Sequence, residues 1–124
     1  MNLKFITPKL HGFLDYTAAI ALIVMPFLLS LKEHSIFVAW FSIGTGVGLA
    51  LYSLLTDYQL SILKLLPYKF HLLLDGLASV AFLLVAVLHE GTLASKVYCL
   101  TMGMGVIAVI LLSQKQARMP ATLT

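Results

Sequence analysis

Lys9-Leu10-His11-Gly12-Phe13-Leu14-Asp15 and Lys69-Phe70-His71-Leu72-Leu73-Leu74-Asp75 are two copies of one pattern, K-x-H-x-x-x-D. His71 and Asp75 lie 60 residues beyond His11 and Asp15, and each copy opens a long apolar run. Four residues along a helix is just over one turn, so His and Asp at that spacing share a face. Four residues rise about 6 Å, which puts each Asp deeper in its helix than its His.

The runs that follow decide the class. Of 124 residues 60% are hydrophobic and only 10% charged, with mean hydropathy +1.00. A soluble domain carries roughly 25% charged residues, so this chain has too little polar surface to cover a globule in water. Four apolar segments stand out, about 11–31, 36–56, 71–88 and 97–113. Each approaches the ~20 residues that cross ~30 Å of hydrocarbon as a helix. Open strands would leave backbone groups unsatisfied in lipid, so helices are expected. The first run is too long for a secretory h-region, carries Asp15 and has no small-residue cleavage site after it. Net charge is +3 with scattered basic residues, which argues against nucleic-acid binding. The single Cys99 excludes an intrachain disulfide.

The loops and helix starts repeat as well. Lys32-Glu33-His34-Ser35 joins the first pair of runs, and His89 to Lys96 joins the second. The middle connection, Asp57 to Tyr68, holds Leu60, Ile62, Leu63, Leu65 and Leu66, as an interfacial amphipathic segment would. Thr7-Pro8 reads as N-cap and first helical residue, and Pro67 is expected to play the same part for the third helix. Pro26, deep in the first helix, is expected to kink or break it. Gly44-Thr45-Gly46-Val47-Gly48 resembles Gly103-Met104-Gly105-Val106, at an offset of 59. That alignment predicts that Gly44, Gly48, Gly103 and Gly105 face other helices. The same glycine-rich faces offer a route to a homo-oligomer.

The expectation is therefore an all-α integral membrane four-helix bundle, one domain over 1–124. Repeat one covers about 8–57 and repeat two about 67–114. The two hairpins point the same way, related by a pseudo-two-fold along the membrane normal. Ionisable groups inside a membrane are functional candidates by default. His11, Asp15, His71 and Asp75 are expected to face inward as one polar layer. Three readings stay open: His–Asp pairs as structural glue, a divalent metal site or proton relay, and a haem or other redox cofactor held by His11 and His71. Ion handling fits these residues better than enzyme activity. Tyr16, Tyr52, Tyr58, Tyr68, Tyr98 and Trp40 read as an interfacial belt, Asp57 as solvated, and Met25, Met102, Met104 and Met119 as apolar filler.

His11-Gly12-Phe13-Leu14-Asp15-Tyr16, Tyr52-Ser53-Leu54-Leu55-Thr56-Asp57-Tyr58 and His71-Leu72-Leu73-Leu74-Asp75 together resemble the small bacterial and archaeal SPW-repeat membrane proteins. The resemblance covers roughly residues 5 to 112. It implies two copies of a two-helix unit and no particular biochemical activity. The family's Ser-Pro-Trp motif corresponds to Met25-Pro26-Phe27 in the first copy and has Ala86 in place of proline in the second.

Lys4, Lys9, Lys64, Lys69, Lys115 and Arg118 flank one side of the expected bundle, and Lys32 and Lys96 the other. Basic residues stay on the cytoplasmic side, so both termini are expected there, in a bacterial or archaeal inner membrane. Reporter fusions at Thr124 and in the Lys32–Ser35 loop should read cytoplasm and periplasm respectively. The opposite pair of readouts would reverse the orientation.

Overall fold

The computed structural model describes residues 4–56 and 61–113. Four helices carry the chain: α1 (Pro8–Leu28), α2 (Ile36–Leu54), α3 (Tyr68–Leu88) and α4 (Leu93–Leu112), with a 3₁₀ turn at Leu31–Glu33. Each is long and apolar enough to cross a bilayer, with mean hydropathies from 1.5 to 2.2. Only 22–33% of each span is buried in the protein, so most of the apolar side chains face outward. Ile20, Leu51, Leu77 and Leu111 are among them. Such a surface suits hydrocarbon as the solvent.

Hydroxyl caps start three of the helices. Thr7 Oγ1 accepts from the Leu10 N–H, Ser35 Oγ from Val38 and Thr92 Oγ1 from Ser95. Pro8 is the first residue of α1 as expected. Pro67 sits one position further out, as the N-cap of α3. Between Ser61 and Pro67 the chain is irregular. Ile62 and Leu63 donate to the Leu54 carbonyl, and Leu65 and Leu66 to Leu55, which closes the end of α2. Residues 57–60, with Asp57 and Tyr58, and residues 114–124, with Lys115, Arg118 and Met119, lie outside the described residues.

α1 packs on α2 and α3 on α4, giving two hairpins that meet along α2 and α3. The buried positions reveal the repeat. α1 buries His11, Asp15, Ala19, Leu22 and Pro26, and α3 buries His71, Asp75, Ser79, Phe82 and Ala86, all at offset 60. α2 and α4 correspond at offset 57: Ser35 with Thr92, Ser42 with Cys99, Gly46 with Gly103, Thr56 with Ser113. The three-residue difference is the length of the Leu31–Glu33 turn, which the second hairpin lacks. The turn is entered through Ser30 at φ 52°, a left-handed conformation in which α1 cannot continue.

The offset of 57 corrects the expected glycine register. A Cβ on Gly44, Gly48 or Gly105 would meet nothing within 4 Å. A Cβ on Gly46 would come within 2.9 Å of the Ala19 carbonyl oxygen, and one on Gly103 within 3.1 Å of the Ser79 carbonyl. These two glycines are where each hairpin's helices touch. A one-turn spacing of small residues does not say which phase faces the partner, and buried Ser42, Gly46, Leu49 and Ser53 set a phase that leaves Gly44 and Gly48 off the contact.

Pro26 does not break α1, which runs unbroken to Leu28. Proline has no N–H to give to the carbonyl four residues earlier. That carbonyl, Leu22, accepts the Ser42 hydroxyl of α2 instead, at 2.7 Å. With its proton so committed, Ser42 Oγ accepts from the Tyr98 hydroxyl of α4 at 2.6 Å. In the second hairpin Ala86 keeps its N–H, and Cys99 stands where Ser42 stands in the first.

Gly46→Ala should lower Tm in detergent, because backbone lies in the way of the new methyl. Gly44→Ala and Gly48→Ala should leave Tm unchanged or raise it, since alanine favours a helix by up to about 1 kcal/mol over glycine. Equal destabilisation by all three would refute the assigned register.

Candidate functional site

The first two turns of α1 and α3 place two histidines and two aspartates in one buried layer at the end of the bundle where α1 and α3 begin. His11 and His71 are fully buried, and Asp15 and Asp75 nearly so. All four sequence-predicted residues are brought together, and they face inward.

The shortest contacts cross between repeats. His11 Nε2 lies 2.9 Å from Asp75 Oδ2, and His71 Nε2 lies 2.7 Å from Asp15 Oδ2. The same nitrogens sit 3.2 and 3.3 Å from the aspartates of their own helices. The imidazoles meet edge to face, with centroids 5.5 Å apart. One donor atom from each of the four residues can be chosen so that all lie within 4.8 Å of one another.

What turns both Nε2 atoms into this space is the pair of hydroxyls at the ends of α2 and α4. Thr56 Oγ1 donates to the Tyr52 carbonyl at 2.6 Å and lies 2.6 Å from His71 Nδ1. Ser113 Oγ donates to the Val109 carbonyl at 2.5 Å and lies 2.8 Å from His11 Nδ1. A hydroxyl has one proton, and here a backbone carbonyl takes it. The oxygen therefore accepts, and each histidine donates its Nδ1–H. That fixes the tautomer and aims Nε2 at the carboxylates.

The backbone supports the same geometry. Ile6 donates to the Leu112 carbonyl at 3.0 Å, and Leu66 to Leu55 at 2.7 Å. These equivalent contacts hold the start of α1 beside the end of α4 and the start of α3 beside the end of α2. Thr56 and Ser113 are thus brought to the histidines by the chain entering each helix.

Tyrosines break the symmetry. The Tyr52 hydroxyl donates to Asp75 Oδ1, leaving Oδ2 to both histidines. The equivalent position on α4 is Val109, and Asp15 turns a different oxygen to each histidine. The Tyr68 ring packs edge-on to His11 at 5.6 Å and lies 6.2 Å from His71. Tyr52, Tyr68 and the buried Tyr98 are therefore interior residues, which corrects their reading as an interfacial belt. Trp40 does face outward, with the Lys32 ammonium over its ring. Thr56, Ser113 and Tyr52 were missed because a hydroxyl near a helix end has many ordinary uses. An offset of 57 would have paired Thr56 with Ser113.

Chemically the layer offers two imidazole nitrogens and up to four carboxylate oxygens in a dry setting. Two arrangements fill it without net charge. In one, two imidazolium ions face two carboxylates. In the other, two neutral imidazoles and two carboxylates surround a divalent cation. Comparison of the chain with protein-family models, curated proteins and solved structures gives no match.

Removing one partner leaves a buried charge without its counter-charge, which costs about 3–5 kcal/mol. Asp75→Ala should therefore unfold or strongly destabilise the bundle in a detergent melt. Thr56→Val, which removes the Nδ1 acceptor together with the hydroxyl's bond to the Tyr52 carbonyl but no charge, should cost about 1–3 kcal/mol. A Tm unchanged by Asp75→Ala would mean the layer does not join the hairpins.

Proposed function

We propose that this protein binds a divalent transition-metal ion within the cytoplasmic membrane of a bacterium or archaeon, through His11, Asp15, His71 and Asp75. The observation that carries the reading is the pair of hydroxyl bonds on Nδ1, from Thr56 and Ser113. Metal-binding histidines usually donate their second ring N–H in this way, which fixes the ring and leaves the other nitrogen for the ion. Two imidazoles and two carboxylates suit a borderline transition metal. A tetrahedral ion with bonds of about 2.0–2.2 Å spaces its ligands about 3.3–3.6 Å apart. The observed contacts of 2.7–3.3 Å approach that spacing.

Haem has less support. With imidazole centroids 5.5 Å apart and both Nε2 atoms against the same carboxylates, the space a porphyrin would need is taken by Asp15 and Asp75. The resemblance to SPW-repeat proteins bears on the two-hairpin architecture, in which one ligand pair comes from each hairpin, and not on the ion. The cytoplasmic bias of basic residues would set the site near the inner leaflet. Gly44, Gly48 and Gly105, open on the outer faces of α2 and α4, are where a second copy would pack.

Purified protein should be loaded with Co²⁺ or Zn²⁺ and its metal content measured. One ion per chain and a cobalt d–d band are expected. Asp15→Asn and Asp75→Asn should lose both. An ion held at 100 times its Kd should stabilise the fold by about 2.7 kcal/mol. A folded wild type that binds no ion, with the Asn variants altered only in Tm, would leave the layer as structural glue.

A further inference from the structure

The two inter-hairpin seams differ at the end away from the His–Asp layer. Between α2 and α3 the seam is closed by aromatic rings. Phe41 meets Phe82 at 4.7 Å, and Phe37 packs on Phe41 at 5.8 Å and on His89 at 5.0 Å. Between α1 and α4 the equivalent seam is an open cleft of about 710 Å³. Its apolar wall includes Met25, Leu29, Ala94, Val97 and Met102.

The repeat register explains the opening. At offset 57, Ala94 stands where α2 has Phe37, and Val97 where it has Trp40. At offset 60, Leu22 stands where α3 has Phe82. The second seam has lost two of the rings that close the first. Tyr98, which matches Phe41, cannot swing across the gap, because its hydroxyl is held by Ser42 inside the bundle. The Leu31–Glu33 turn, absent from the other hairpin, shapes the loop end of the cleft through Leu31 and His34.

We propose that this cleft holds one acyl chain of a phospholipid from the leaflet on the loop side. The wall borders helices whose outer surface is mostly apolar, so water has few partners there and hydrocarbon is the available filler. The volume falls in the range of ordinary ligand sites, about 300–1,000 Å³. The imidazole of the lining is at the loop end, where His34 Nδ1 lies 3.0 Å from Thr92 Oγ1, and the walls beyond it are apolar apart from Thr101 and Tyr98, whose hydroxyl bonds Ser42. That gradient matches an amphiphile with its chain between the helices and its polar head at His34. The cleft is separate from the His–Asp layer, and the proposal does not depend on bound metal.

Ala94→Phe copies Phe37, a ring that closes the other seam, and Val97→Trp sets an indole on the cleft wall as Trp40 stands at the equivalent position of α2, so both should fill the cleft without unfolding the bundle. Protein reconstituted with phosphatidylethanolamine and phosphatidylglycerol, then extracted in mild detergent, should retain one phospholipid per chain by native mass spectrometry. Either variant should lose it, while Leu77→Phe, on the outward face of α3, should keep it. A photoreactive residue at position 94 should capture lipid. A wild type that retains none, equal retention in Ala94→Phe and Val97→Trp, or capture of a second copy from position 94 would each overturn the proposal.

Discussion

The exchange of aspartates between His11 and His71 joins two hairpins into one bundle. Lipid gives little hydrophobic reason for one apolar helix to prefer another, so association must come from packing and polar contacts. Within each hairpin the close approach at Gly46 and Gly103 supplies packing. Between α1 and α3 the described contacts are chiefly those of the His–Asp layer, whose cross-repeat distances are shorter than those within each helix. The neighbouring backbone contacts serve this exchange. The segments before α1 and α3 pin the ends of α4 and α2, and those ends deliver the hydroxyls that orient the imidazoles.

The same demand, that no polar group go unanswered in hydrocarbon, accounts for the middle of the bundle. Proline at position 26 frees a carbonyl, a serine from the next helix satisfies it, and a tyrosine from the last satisfies the serine. In the second hairpin Ser79 answers the Gly103 carbonyl at 2.8 Å, so α3 and α4 are tied from the other side. Each hairpin therefore has one hydroxyl-to-carbonyl bond across its helix pair. The donors sit on different helices, because only the first hairpin has a proline to compensate.

Much of this is legible in the sequence. Helix number, span and direction follow from apolar length and the duplicated His and Asp, because lipid permits so few alternatives. The inward layer follows from the cost of exposing an ionisable group, about 2–3 kcal/mol on insertion scales. What sequence could not supply was phase and partner. Aligning the glycines by resemblance gave 59 where packing requires 57, since glycine recurs too often in this chain to fix a register. Tyr52 and Tyr68 looked interfacial because they lie near helix ends, and only the inward turn of α2 and α3 distinguishes a wall residue from a belt residue. Pro26 promised a kink or a break, and α1 is not broken there, a donor from a neighbouring helix taking the carbonyl that proline leaves.

Each hairpin contributes one imidazole, one carboxylate and one orienting hydroxyl, and the hydroxyl of each serves the histidine of the other. A single hairpin is thus half a site. Two identical hairpins about a true axis would build a whole one, with both carboxylates in the same setting. Joining them in one chain removes the obligation to be identical. Tyr52 on Asp75 with valine opposite, and a three-residue turn on one side only, are differences that a symmetric pair could not carry. The layer is consequently uneven in its own plane: an ion or proton entering it would meet one carboxylate that already holds the Tyr52 hydroxyl and one that divides its two oxygens between the histidines.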